Sequence, residues 1–315
     1  DISAIIGSID NKLELRGRDS LGITIQIELK EKYEFKKQPY YKKKFDANSN
    51  LEAIYDDDRK IIKFTFKTFN KIGALGENAK KIKEMIKSDK LFQSLLKNKL
   101  IESAIIISHT RWASVGKVNI ENTHPIISRK IRKNNKSDWI GSILNGDIYN
   151  YKDYTAGEKN IKFDAECSTD CLAISNTIIG NKSKEFKTTS KSISNFSGSF
   201  AICIFGNQSK TNLQIFKQGT QGLYIGVSDD RIMFASDVYG LIEYCRYFYP
   251  VENNESFQMS KDDHKNLKNF EFRINTDQNF KIIKKQNLNE TNITTRDIDR
   301  KHFKHFLEKE IFDTE

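Results

Sequence analysis

A four-residue apolar run, Ala104-Ile105-Ile106-Ile107, passes without a turn into the polar cluster Ser108-His109-Thr110-Arg111-Trp112-Ala113-Ser114. No other stretch constrains the chain so narrowly. Small and β-branched residues favour strand, and a run this short ahead of a polar cluster reads as a buried strand delivering its last side chains to a rim. An Arg at such a rim offers a fixed fork of donors suited to a carboxylate, and a Trp beside it can shape or close a pocket. An Arg paired with a structural acid, with a Trp filling a core gap, would fit the heptapeptide equally well, so its surroundings must decide.

Those surroundings are globular. The chain has 315 residues, enough for one large domain or two ordinary ones; 37% are hydrophobic, 30% are charged and only 3 are Pro, which reads as a globular chain of rather polar surface, not a disordered one. The net charge of +10 is spread over many Lys-rich stretches. It comes with no helix-turn-helix, zinc-ligand or aromatic-glycine RNA pattern, so it reads as solvated lysines, and nucleic acid is not expected as a partner. Cys167 and Cys171 are spaced for one helix face without a second pair or a nearby His, and with Cys203 and Cys245 they read as free thiols in a reducing compartment. No metal or cofactor is expected. No apolar run is long enough to span a membrane, and Ile2-Ser3-Ala4-Ile5-Ile6-Gly7 is too short for a signal peptide and lacks a basic leader, so the expected location is cytoplasmic.

Along the chain, residues 2–9 read as a strand covered on both faces, Leu15 to Gly22 as a polar turn, and residues 23–27 as an alternating strand. Residues from about 28 to 60 are Lys-, Tyr- and Asp-rich with little periodicity and read as a surface insertion. A strand follows at 61–66, and Ile82, Met85, Ile86, Leu91, Leu95 and Leu96 recur at helical spacing, giving one amphipathic helix or a pair. After the rim come a polar stretch holding Asn122-Thr123-His124-Pro125, a basic loop at 129–136, and a strand at 139–144 ending in Asn145-Gly146. Asn-Gly there suggests a hairpin, but Asp147-Ile148-Tyr149-Asn150-Tyr151 reads as the entry to a helix. Thr169 and Asp170 head the periodic run Leu172, Ala173, Ile174 and Ile178, where the helix dipole favours a carboxylate. Strands follow at 200–205, 213–216, 223–227 and 231–235, then a short helix at 237–244, and weaker alternation at 270–274 and 281–284. The sum is an α+β architecture of two sheets with a helical layer on each outer face. Residues 301–312 form an amphipathic segment that reads as a connector to a further domain.

Seven short stretches also follow a known order. Arg16-Gly17-Arg18-Asp19-Ser20-Leu21-Gly22 is similar to RGYDSAG, His109-Thr110-Arg111-Trp112-Ala113-Ser114 to HTRWAT, Asn122-Thr123-His124-Pro125 to NAHP, and Asn145-Gly146 to NG. Ser168-Thr169-Asp170 is similar to part of ETDTE, Phe234-Ala235-Ser236-Asp237 to FIASD, and the stretch from His305 to Phe312 to HYMQKEIYE. In that order they resemble the glutaminase domain of class II glutamine amidotransferases, most closely the glutamine–fructose-6-phosphate aminotransferase branch.

The resemblance implies an N-terminal nucleophile hydrolase fold, a four-layer αββα sandwich of two antiparallel sheets between helical layers. It implies a glutaminase domain at 1–295 and a connector at 296–315 leading toward a sugar-isomerase domain outside this sequence. The implied reaction is attack by an N-terminal cysteine on the side-chain amide of L-glutamine, release of glutamate through a thioester, and transfer of ammonia to a sugar-phosphate acceptor for amino sugar biosynthesis, in a homo-oligomer. Asn145 and Gly146 would form the oxyanion hole, Arg111 would hold the substrate's α-carboxylate and Asp170 its α-ammonium. His124 would line the substrate site, Ser114 would donate a hydroxyl hydrogen bond, and Trp112 would gate the ammonia exit.

The match also has departures. The family begins Cys-Gly-Ile, and the best alignment sets Asp1 on the Gly and Ile2 on the Ile, so the nucleophile is expected one position before Asp1. Aligning Ser3 with the cysteine would leave two residues blocking its amine. Asp1 places a carboxylate beside the nucleophile, which raises a thiol pKa. Val115 stands where the branch has a histidine, and residues 147–151 are closer to asparagine synthetases. Arg16 and Asp19 read as an ion pair across the Gly17 turn. A non-catalytic module for glutamine sensing or assembly, or an asparagine-synthetase-like amidotransferase, therefore stands beside the first reading.

Overall fold

Strand β1 (Ser20–Leu29) is the centre of the sheet that carries the rim. The computed structural model describes residues 17–31, 51–56, 60–69, 76–131, 137–155, 161–162, 166–183, 185–207, 211–228, 231–260, 271–275, 279–284 and 287–290. Its first sheet has the order β2-β3-β1-β4, with β2 at Leu51–Asp56, β3 at Ile61–Phe69 and β4 at Ile101–Arg111. All of its pairings are antiparallel. Leu21, Ile23, Ile25, Ile27 and Leu29 form one face of β1 and pack with Ile62, Phe64 and Phe66 against helices α1 (Glu77–Ser88) and α2 (Lys90–Lys97). The helical stretch divides because Asp89 ends α1 and caps α2, its carboxylate accepting from the Phe92 amide at 2.8 Å.

The alternation in β1 is that of a strand with one wet face, yet Thr24 and Gln26 on the polar face are also buried. A second sheet lies over them. Thr24 and Thr65 share a hydroxyl hydrogen bond of 3.1 Å, and the fully buried Lys63 places its ammonium 5.0 Å from the ring centroid of Trp139. Burial pulls the Lys63 pKa down to about 7.

The second sheet has the order β15-β14-β13-β9-β8-β6-β5-β7. Its strands are β5 (Ile126–Ile131), β6 (Ser137–Ile148), β7 (Ile161–Lys162), β8 (Gly198–Gly206), β9 (Thr211–Gln218), β13 (Ser256–Ser260), β14 (Glu271–Asn275) and β15 (Phe280–Lys284). The outer face, including Ile140, Leu144, Phe200, Ile202 and Phe216, packs with Leu172, Ile174 and Ile178 of α3 (Cys171–Gly180) and with Ile193 of α4 (Phe186–Ile193). The inner face presents Trp139, Ala201, Phe205, Leu213 and Ile215 to Ile105 and Ile107 of β4. The layers are therefore helix, sheet, sheet, helix. A smaller antiparallel sheet of β10 (Tyr224–Val227), β11 (Ile232–Ala235), β12 (Tyr247–Pro250) and β16 (Asn289–Glu290) extends the inter-sheet core through Ile225, Val227 and Tyr249.

The period of two places the functional side chains. His109 and Arg111 share the face of Ile107 on β4, and Asn145 shares the face of Trp139 on β6, so all three enter the gap between the sheets.

Several expectations are corrected. Strand β6 does not end at Asn145-Gly146; it continues to Ile148, because β8 pairs with it as far as Ile148↔Gly198. After it comes a single 3-10 turn at Tyr151–Tyr154. Ser20 to Gly22 already belong to β1, and residues 129–131, read as loop, belong to β5. The insertion contains β2, paired along β3. The helix read at 237–244 is a 3-10 turn at Val238–Gly240. Strand β4 is the last of its sheet among the described residues, which leaves Ile105 and Ile106 half-buried. Helix α4 and strands β12 and β13 were not anticipated. The strand read at 2–9 and the connector at 301–312 lie outside the described residues.

Candidate active site

Arg111 is the last residue of β4, and the loop after it is tied down from both sides. The Ala113 amide donates to the Asp19 carboxylate at 2.8 Å, and the Ser114 hydroxyl donates to Asp147 Oδ1 at 2.9 Å. Asp19 thus holds a backbone amide; Arg16, its expected ion-pair partner, lies outside the described residues. The buried Arg111 guanidinium donates to the Lys117 carbonyl at 3.2 Å and to the Val115 carbonyl. Two of its five N–H groups are used in this way, leaving others to meet an anion. Burial lowers the Arg111 pKa, and Asp170 is the foremost group opposing that shift.

Asp170 caps α3 from the opposite wall. It is buried, and its carboxylate accepts from the Ile148 amide at 3.0 Å, the Thr169 hydroxyl at 3.1 Å and the Cys171 amide at 3.0 Å. Burial raises its pKa, and these three hydrogen bonds pull it back. The site therefore joins a cationic fork to a fixed carboxylate, an arrangement complementary to a zwitterion.

At the other end, Asn145 Nδ2 is buried with no hydrogen-bond partner among the described residues, and it lines the cavity. A buried donor left unpaired costs about 1–3 kcal/mol, which a bound acceptor would remove. Beside it, Gly146 has φ of 105°, and a Cβ there would lie 2.1 Å from the Ser199 carbonyl oxygen. Only glycine fits.

Arg111, Trp112, Ser114, His124, Asn145, Gly146 and Asp170 all line one cavity of about 220 Å³. That is below the roughly 300–1,000 Å³ of pockets for drug-sized ligands, and suits a molecule the size of an amino acid. Trp112 is 73% exposed at the mouth. His124 is only 3% exposed, and its Nε2 lies 3.4 Å from the Thr169 hydroxyl. Asp147 and Gln221 also line the cavity and were not anticipated as site residues. Asp147 was legible as the residue after Asn145-Gly146. Gln221 sits in a glycine-flanked turn between β9 and β10, with no motif to mark it. None of the four cysteines is in a disulfide, and burial pushes Cys171 and Cys203 up, away from reactivity. Among the described residues, no group of three or more His, Cys, Asp or Glu could hold a metal ion, and no helix is long and apolar enough to cross a membrane.

A family model described as the glutamine amidotransferase domain matches residues 78–278, which takes in both sides of this cavity. Glutamine–fructose-6-phosphate aminotransferase (isomerizing) of Neisseria meningitidis serogroup B is 26% identical over 226 residues, covering 70% of this chain and 34% of the relative. The enzyme of the same name from Helicobacter pylori strain J99 is 27% identical over 222 residues, covering 69% of this chain and 33% of the relative. The chain thus spans about a third of the curated relatives it matches. A solved structure of the allosteric regulatory enzyme of purine biosynthesis superposes with a TM-score of 0.52 at 18% identity, covering 90% of this chain and 46% of that one, which shows a shared fold. With the sandwich, the cavity and a family match over more than half of its length in agreement, the chain belongs to the glutamine amidotransferase domain family, in its class II, N-terminal nucleophile hydrolase form.

Proposed function

We propose that this domain hydrolyses the side-chain amide of L-glutamine and supplies the ammonia to a sugar phosphate, fructose 6-phosphate, bound by a further domain. One observation carries the reading: the Arg111 and Asp170 pair and the unpartnered Asn145 donor line the same amino-acid-sized cavity. Arg111 takes the α-carboxylate and Asp170 the α-ammonium, which selects a free amino acid over a peptide-bound one. The side-chain amide then extends toward Asn145 and Gly146.

The nucleophile is a cysteine immediately before Asp1. Its thiol gives a proton to its own α-amine and its sulfur attacks the amide carbon. The carbonyl oxygen becomes an oxyanion, held by Asn145 Nδ2 and the Gly146 amide. Collapse of the tetrahedral intermediate breaks the C–N bond, the α-ammonium returns its proton to the leaving nitrogen, and ammonia departs past Trp112. Water then hydrolyses the thioester and glutamate leaves. The acceptor is inferred from the two aminotransferases named above, of which this chain matches about a third.

The test is glutamate release from glutamine by the protein carrying its native start. Arg111→Ala raises the KM for glutamine by at least about tenfold, since a charged hydrogen bond contributes roughly 1.5–3 kcal/mol. Glutamine that binds intact and is never turned over by the wild type would instead establish the non-catalytic module.

A further inference from the structure

Two histidines at the cavity floor, His124 buried and His109 half-buried, have no part in the mechanism above. Their rings touch in a tilted arrangement, with centroids 4.5 Å apart and an interplanar angle of 42°. Room for this comes from Gly22, which pairs directly with His109 across the sheet; a Cβ at Gly22 would lie 1.9 Å from the His124 carbonyl oxygen. Each ring reaches a different wall. The His109 ring hydrogen-bonds the Leu144 carbonyl, which belongs to the peptide group leading into Asn145. His124 Nε2 lies 3.4 Å from the Thr169 hydroxyl, which donates its only proton to Asp170 Oδ1 at 3.1 Å. Thr169 can therefore only accept from His124, which sets the proton on Nε2. Nδ1 of both rings is buried with no partner among the described residues.

We propose that His109 and His124 are a positioning pair in ring contact, joining the two ends of the cavity, His109 through Leu144 to Asn145 and His124 through Thr169 to Asp170. The pair fixes the distance between the group that holds the amino acid and the group that meets its amide oxygen. The proposal rests on the glutamine reading of the cavity, and its two arms make different kinetic predictions.

The protein with its native start is assayed for glutamate release, with glutamine binding followed by calorimetry. His124→Phe and Thr169→Val each raise KM and weaken glutamine binding about tenfold with kcat nearly unchanged; His109→Phe lowers kcat about tenfold with KM nearly unchanged. Gln at either histidine position, with an amide donor at a reach similar to Nε2, restores most of the loss. Equal changes in kcat and KM from both Phe variants, or no change from either, would overturn the proposal. If a Phe variant does not fold, Thr169→Val and the Gln variants decide it, and a Thr169→Val protein with unchanged KM rejects the His124 arm. Nitrogen NMR of the imidazoles is independent of activity. Both rings are expected as Nε2–H tautomers, and an Nδ1–H tautomer in either overturns the pair even if the wild type proves unable to bind glutamine, which alone would sink the functional reading.

Discussion

Asn145 is worth most at the scale of single residues, because its side-chain donor is buried with no partner among the described residues. Removing one such donor from an oxyanion site costs about 10²–10³ in kcat. Asn145→Ala is expected to lose that much glutaminase turnover while KM for glutamine changes little, as read by steady-state glutamate release. His109 gives a second expectation, in stability. Burial and the nearby Arg111 hold its pKa down at about 4 against an ordinary 6.5, although the Leu144 carbonyl opposes them. Between those values the unfolded chain binds the extra proton, so stability falls as the pH drops from 6.5 to 4 and then levels, by about 3 kcal/mol for this group. Melting curves across that range should be flatter for His109→Phe than for the wild type. As residue types, Arg111, Asp170 and Asn145-Gly146 were legible in their motifs, and Asp147 as the residue that follows Asn145-Gly146. Gln221 was not, since nothing within a few positions of it says that it meets the same cavity.

For elements, the informative case is the inner face of the first sheet. Alternation in β1 and β3 correctly indicated strands, yet it does not show that Thr24, Gln26 and Lys63 are buried beneath the second sheet. A strand's own sequence carries its period but not the identity of what covers it. The cost is greatest for Lys63, held near a pKa of about 7 by burial. The unfolded chain keeps that proton up to the ordinary 10.5. Stability should therefore rise with pH from about 7 toward 10.5 by on the order of a few kcal/mol. Denaturant titrations at several pH values would show the rise in the wild type and its loss in Lys63→Met. The pair α1 and α2 was half-legible in the same way, since the apolar spacing ran on through Asp89, whose cap on Phe92 separates them.

On the scale of the whole molecule, the layered sandwich explains why one cavity can hold residues from positions 109 to 221. Strands β4 and β6 lie in different sheets, and the gap between those sheets is where their alternate side chains meet. Because the chain spans about a third of its curated relatives, the proposal separates ammonia production here from ammonia use elsewhere. In the whole protein, Asn145→Ala should abolish product formation from glutamine and leave formation from added ammonium salt close to wild type. A parallel loss of both would show that the substitution damages the acceptor site, and that the two activities are not divided in this way.

The sequence by itself determined the strand-rich α+β class, the rim at His109 to Ser114 and the order of the family's short motifs, because periodicity and turn chemistry are local properties. Only the tertiary structure decided that Asp170, Asn145 and Arg111 share a cavity, that Asp147 and Gln221 join them, and that two histidine rings meet beneath. Those are contacts between chain segments tens of residues apart. They are set by how two sheets close over one another, and no local pattern records that.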